Sequence, residues 1–355
     1  MATIAGKTLK PLEGYVVSTP AGITAKTAPD FTITTGEGDE AVTVPYYLYK
    51  AAATVTIAAQ AGYVIASATY NDSSDHDITV TQGVYSFEMP ASDVTVSATL
   101  SVKNFTDDGH AGTEGDPYII YNKDQLDLLA TNVNAGNSYA NTYFKLDNDI
   151  TYTHTTDWND ATSTENNYTA IGNNAHFFSG KFNGNNKTIR GIRIHSTDDY
   201  QGLFGEIGTG AEVKDVILND AQITGAVCTG GIVGRNNGGT ISGCFVEDNV
   251  TIGYAPGNVT CHGGIVGNNL TNNSTGGLVS GCVSKATVNG DTGTNGNENF
   301  GGVAGLNNGG TIENCLYLGS TVNGRLSIGA IVVSNNNGSK VENCYYTASG
   351  YVGKT

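Results

Sequence analysis

Five segments of the chain align with one another: Gln201-GLFG-Glu206, Gly230-GIVG-Arg235, Gly263-GIVG-Asn268, Gly301-GVAG-Leu306 and Gly329-AIVV-Ser334. Each is followed by an Asn/Gly-rich turn and then by a second apolar run, in order VKDVIL, ISGCFV, VSGCVS, IENCLY and VENCYY. A repeat of this size means stacked units, none of which can bury its apolar face alone. The runs are short, β-branched and broken by Gly and Asn, which excludes a helical repeat and predicts strands joined by turns. Three short strands per unit with constant slots predict a parallel β-helix, each unit one coil stacked ~4.8 Å above the last.

Two slots carry this reading. Cys244, Cys282, Cys315 and Cys344 occupy one of them, 38, 33 and 29 residues apart, and the earliest unit has Val216 there. A position that accepts Val or Cys is apolar and faces inward. Asn236, Asn269, Asn307 and Asn335 occupy the other, with Ile207 in the earliest unit. In register, their amides form a hydrogen-bonded ladder that starts one coil late. The two remaining cysteines, Cys228 and Cys261, share a third slot 33 residues apart. Neighbouring coils bring their Cα atoms ~5 Å apart, which suits either a pair of buried thiols or a disulfide. There is no C-x-x-C, and thiols in a line do not make a zinc tetrahedron.

The chain has 355 residues, enough for two or three domains, with 48 Gly, only 14% charged residues and a net charge of −16. That charge disfavours nucleic acid, whose phosphates would be repelled. No apolar run reaches ~18 residues, so no membrane-spanning helix is expected. The start, MATIAGKTLK, lacks the apolar core of a signal peptide. The composition, rich in Asn, Thr, Gly and Tyr, is that of extracellular β-proteins, and the chain is expected to be the mature region of a longer exported protein.

Residues 1–102 read as a small antiparallel β module, with alternating strands at Ala53-TVTIA, Tyr63-VIASATY, Val84-YSFEM and Val94-TVSATL. Residues 103–115, polar with Gly109, Gly112 and Gly115, read as a linker, and 116–355 as the solenoid. A helix opens the latter. Asn122 is its N-cap, Gln125 its capping-box partner, Leu126, Leu129, Ala130 and Val133 its apolar face, and Gly136 its C-terminal stop. Such a helix is expected to cover the open end of the first coil; a surface helix packed elsewhere is the other reading.

The run Phe87-E-Met89-Pro90-A-S-Asp93-Val94-T-Val96, with Gly62-Tyr63 upstream, resembles the internalin-type B-repeats of bacterial surface proteins. That resemblance implies a spacer or display module. Gly202-Leu203-Phe204-Gly205, introduced by Asp116-Pro117-Tyr118-Ile119-Ile120 and by Phe178-SGKFNGNNKTIRGI, resembles the bacterial GLUG-motif proteins over about two thirds of the chain. This implies a right-handed parallel β-helix on a surface or secreted protein. GLUG repeats also occur in IgA-cleaving surface metalloproteases, outside the catalytic part. The H-E-x-x-H zinc helix of that part is missing here, since none of the six histidines precedes a Glu.

A catalytic β-helix would need carboxylates recurring at one outward slot. Asp215 and Asp220, then Glu247 and Asp248, then Ser284 and Lys285 do not make such a column. Asp198-Asp199 is the best isolated carboxylate pair, set against a solvated loop. Asn71-Asp72-Ser73-Ser74-Asp75-His76-Asp77 offers oxygens to calcium, set against a hairpin tip of solvated acids. Trp158, the one tryptophan, stands beside Asp157 and Asp160 and suits sugar stacking, set against a core or capping role. Cys261-His262 is discounted as a nucleophilic pair, because adjacent strand residues face opposite ways. Relative to the shortest unit, extra residues lie at Gly253 to Thr260, Leu270 to Gly276 and Asp291 to Asn299. Insertions in solenoids map to loops, often on a binding face. Tyr254, Pro256, Asp291, Asn297 and Glu298 are therefore the candidate ligand contacts, with tolerated loop decoration as the alternative.

The expectation is a non-catalytic, adhesin-like surface or secreted protein, without a cofactor, that binds a host or matrix glycoprotein or polysaccharide. A carbohydrate-active β-helix enzyme and a passive stalk are the alternatives.

Overall fold

A computed structural model describes residues 59–81, 84–88, 90, 92–160, 163–254, 261–290, 299–324 and 327–347, together with strand segments before residue 59 and at Tyr351–Val352. The chain divides into two compact units, Met1–Lys103 and Asn104–Thr355.

In the first unit, Tyr63–Asn71 pairs antiparallel with Val94–Val102, which also pairs parallel with Val17–Ser18. Ala52–Ala58 pairs antiparallel with Val84–Glu88 and with Thr24–Thr27. Alternate residues turn inward, so Ile57, Ala68, Ile78, Phe87, Val94 and Val96 form a small core of their own.

The second unit is a solenoid of parallel strands. Each coil runs along three sides, two of which are broken, giving five short strands rather than three. In one full coil these are Ala221–Gly225, Cys228–Gly230, Val233–Asn237, Thr240–Ser242 and Phe245–Val246. Every one of them pairs in parallel with its counterpart in the next coil. The breaks have local causes. Between the last two strands of four coils stands a residue with positive φ, Gly243 (61°), Gly281 (63°), Asn314 (54°) or Asn343 (51°), and in the earliest unit Asp215 (53°) holds the same place within the continuous strand Glu212–Asn219. Only Gly, Asn and Asp adopt that conformation cheaply, and the sequence puts one of them just before the Val/Cys slot in every unit.

The Gly-Gly pairs mark the other break. A Cβ on Gly230, Gly263, Gly301 or Gly329 would collide with the carbonyl oxygen of Val233, Val266, Ala304 or Val332 in the same bend. A Cβ on Gly231, Gly264 or Gly302 would collide with the carbonyl of Gly264, Gly302 or Ala330 in the following coil. Ala330 occupies this slot in the last coil, and no further Gly-Gly segment stacks on it among the described residues.

One core runs from Phe105 to Val322. The helix Lys123–Asn134 contributes Leu126, Leu129, Ala130 and Val133 to it. Asn122 Oδ1 accepts from the amide of Gln125 at 3.0 Å, and Gln125 Oε1 accepts from the amide of Tyr121 at 3.0 Å. Both side chains thus satisfy backbone amides at the helix start, with Gln125 reaching back to the residue before the N-cap. The linker expected over residues 103–115 is instead part of this unit. Phe105, 3% exposed, packs edge-on against Phe144, with ring centres 5.0 Å apart. The amide of Tyr143 donates to the carbonyl of Gly112 at 2.9 Å. Glycine content suggested a linker; one buried aromatic residue outweighs it.

The Asn slot is a ladder in fact. Asn236, Asn269 and Asn307 are fully buried. Their Nδ2 atoms donate along the axis to Oδ1 of Asn269, Asn307 and Asn335 at 2.8, 2.9 and 2.8 Å. Each also donates to a turn carbonyl, of Gly239, Gly277 and Gly310, at 3.0 to 3.1 Å. Ile207 pairs with Asn236, so the ladder begins at the second coil. Each rung contributes about 1 kcal/mol net, and it satisfies the turn as well as the neighbouring coil.

Candidate functional site

The clefts follow from how loops leave this frame. Two lie on either side of the strand Arg193–His195, and Ile194 lines both.

The larger, about 660 Å³, is walled by the helix end at Asn134, by Tyr168 and Asn173, and by the loop carrying Asp198, Asp199 and Gln201. The Asp pair of the sequence reading therefore opens into a cleft, not simply into solvent. Asn134 fixes one wall: its Nδ2 donates to the carbonyl of Ala170 at 3.0 Å, and its Oδ1 accepts from the amide of Gly172 at 2.9 Å. Tyr200 fixes the other. It sits at φ 57°, a costly conformation for a bulky residue. Arg235 donates to its hydroxyl at 2.8 Å and lies 4.9 Å from its ring centre. Arg235 in turn faces Glu206, 3.7 Å away and 3% exposed. Burial raises the Glu206 carboxyl, and Arg235 and Asn237 oppose that shift.

The smaller cleft, about 320 Å³, holds Trp158 and Asn159 against His195, Gln222, Thr224 and Thr251. Trp158 is neither core nor cap. It is half-buried and stacks on His154 with ring centres 3.8 Å apart and planes 4° from parallel. His154 Nε2 lies 2.7 Å from Asp220 Oδ2. Arg193, 3% exposed, gathers the loop by donating to the carbonyls of Asp157 and Asp160 at 2.9 and 2.8 Å. Gln222 Nε2 donates to the carbonyl of Trp158 at 3.1 Å. The indole is thus held rigidly beside amide and hydroxyl groups from successive coils. Sequence reading found Trp158 by its uniqueness, but Gln222, Thr224 and Thr251 only gain meaning when the coils stack.

A third groove, about 390 Å³, crosses the long wall between Lys145, Lys181 and Lys214. Glu212 lies 3.9 Å from Lys181 and 3.0 Å from Lys214, so its charge is largely internal.

Of the loop candidates, Pro256, Asp291, Asn297 and Glu298 lie outside the described residues. Only the backbone of Tyr254 is placed, opposite Gly225. The insertion at 270–276 is a hairpin, Val266–Asn272 with Thr275–Gly276, turning at Asn273 and Ser274 with positive φ. In the stretch 71–77 the acids serve the local hairpin: Asp72 Oδ1 lies 3.0 Å from His76 Nε2, and Asp75 accepts from Asn71 at 2.7 Å. The hydrogen bond from His76 lowers the Asp72 carboxyl. Among the described residues no group of three or more His, Cys, Asp or Glu is placed to hold a metal ion.

Cys228 and Cys261 are joined by a disulfide with Cα atoms 4.6 Å apart, while Cys244, Cys282, Cys315 and Cys344 are free. The thiol of Cys315 is pushed up to about 12, chiefly by its hydrogen bond with Cys282. His262, next to the disulfide, turns the other way into the core and stacks on Phe300 at 5.2 Å.

No family model matches the chain. Over 142 residues it is 35% identical to a Gly-rich membrane protein of Evansella cellulosilytica, covering 39% of this chain and 15% of that protein. Over 157 residues it is 32% identical to Halomucin of Haloquadratum walsbyi, covering 41% of this chain and 2% of that protein. The chain thus spans a small part of the curated relatives it matches. Among solved structures, an immunoglobulin A1 protease homologue from Bacteroides ovatus aligns over 66% of this chain and 69% of its own, at 20% identity and a TM-score of 0.46. An IgA1 protease aligns over 85% of this chain and 26% of its own, at 11% identity and a TM-score of 0.40. Among the described residues no helix is long and apolar enough to cross a membrane.

Proposed function

We propose that this chain is a non-catalytic, adhesin-like protein, displayed on a cell surface or secreted, whose solenoid binds a polysaccharide or a glycoprotein through its side. The observation that supports this best is the Trp158 cleft. An immobilised aromatic face beside Gln222, Thr224 and Thr251 offers stacking to a sugar ring and hydrogen bonds to its hydroxyls. The relatives described as a membrane protein and as Halomucin agree with an outer location. So do the resemblances to GLUG-motif proteins and to B-repeats. In this reading the helix Lys123–Asn134 closes the first coil, and Tyr254, Pro256, Asp291, Asn297 and Glu298 are further candidate ligand contacts.

The test is a glycan and matrix-protein array with the intact chain and with Trp158→Ala. The reading expects bound glycans whose signal falls at least tenfold in the variant. An array without any hits would favour the passive stalk. The Asp198–Asp199 cleft supports a second reading, glycan cleavage. Release of reducing ends that stops in Asp198→Asn or Asp199→Asn would establish that reading and overturn the first.

A further inference from the structure

The corner where the strand at Arg193–His195 and its stacked successors hand over to the Cys228 strand contains a buried column. Gln201 bridges to Thr229, Thr229 pairs in register with His262, and His262 with Phe300. Residues in register on stacked parallel strands share a face, so an amide, a hydroxyl and an imidazole stand on successive rungs inside the solenoid. Thr229 and His262 are fully buried, and Gln201 is nearly so. The Thr229 hydroxyl has no hydrogen-bond partner among the described residues. A buried hydroxyl left so is rare and asks for a chemical reason.

Gly225 supplies the closeness. The point where it would carry a Cβ is 2.6 Å from Gln201 Cγ and 2.7 Å from Thr229 Oγ1, so those two atoms are no more than about 5.3 Å apart. Any side chain at residue 225 would part them. The Gln201 amide is oriented too, since its Nε2 donates to the carbonyl of Asp199 at 3.0 Å. The disulfide between Cys228 and Cys261 staples the two strands that carry Thr229 and His262.

We propose that Thr229 and Gln201 condense into an intramolecular ester cross-link between successive coils. Thr229 Oγ1 attacks Gln201 Cδ, the Oγ1–Cδ bond forms, and the Cδ–Nε2 bond breaks. The hydroxyl proton passes to the leaving nitrogen, which departs as ammonia. No oxidant or co-reactant is consumed. Preorganised neighbours in a water-poor corner favour such a step and protect the ester afterwards. This inference is independent of the ligand reading.

Trypsin cuts after Arg193, Lys214 and Arg235, which places Gln201 in Ile194–Lys214 and Thr229 in Asp215–Arg235. Mass spectrometry of the purified chain is expected to show a loss of one ammonia and these two peptides joined. Thr229→Val is expected to lose both signs and Thr229→Ser to keep them. Succinimide formation at an Asn-Gly step also loses ammonia. The inference is therefore overturned if wild type yields the two peptides separate, or if the mass loss persists in Thr229→Val. Should Thr229→Val fail to fold, the wild-type peptide map decides alone.

Discussion

His262 gives the solenoid a pH dependence that can be worked out in advance. Its imidazole is fully buried against Phe300, and desolvation lowers its pKa to about 3 from the ordinary 6.5. The unfolded chain therefore binds this proton more readily than the folded one. The contribution of His262 to stability is complete above about pH 6.5 and declines as pH falls toward 3. At pH 5 the loss is about 2 kcal/mol, and below pH 3 about 5 kcal/mol, at about 1.4 kcal/mol per pH unit. For a unit of this size, about 2 kcal/mol corresponds to about 4–8 °C in melting temperature. His262→Phe continues the stack with Phe300 and cannot titrate. Melting curves of both proteins at pH 7 and pH 5, with the disulfide intact, isolate the effect. The drop between the two pH values is expected to be smaller in the variant by that amount, whatever the variant's stability at pH 7. Equal drops in the two proteins would mean that His262 is hydrated or charged in the fold and would refute the burial argument.

Asn269→Ala removes a rung with partners above and below, taking from the buried Asn236 Nδ2 its axial acceptor and from the buried Asn307 Oδ1 its axial donor. A loss of about 3 kcal/mol is expected by urea denaturation, against about 1 kcal/mol for the end rung in Asn335→Ala. Gly264→Ala drives a methyl into the carbonyl of Gly302 and the hydroxyl of Ser284, and is expected to cost at least ~3 kcal/mol, whereas Ala330→Gly in the same slot is expected to cost less than ~1 kcal/mol. Reducing Cys228–Cys261, which closes a loop of 33 residues, is expected to lower stability by about 3–4 kcal/mol, seen as a lower melting temperature in phosphine reductant. The same reductant is expected to leave a Cys228→Ala/Cys261→Ala protein unchanged.

The sequence by itself carried the periodicity, and with it the columns. In a stack of coils, equal slots become neighbours, so Asn236, Asn269, Asn307 and Asn335 were readable as a ladder without coordinates. The left-handed slot before the Val/Cys column came only from the backbone, although Asp215, Gly243, Gly281, Asn314 and Asn343 are residue types that tolerate it. The helix at 123–134 announced itself through its cap and its apolar spacing.

Tertiary structure alone decided what depends on contacts between distant residues. Spacing treats Cys228–Cys261 and the Cys244 column alike, because both place cysteines in register; that only the first is bonded is a matter of three-dimensional geometry. Phe105 looked like linker until Tyr118 and Phe144 were beside it. Trp158 became the wall of a cleft through Arg193, His154 and Gln222, which lie 4 to 64 residues from it in sequence. His262 and Thr229 look like ordinary strand residues one by one. Their low polarity surroundings, and so their chemistry, exist only where one coil lies on the next.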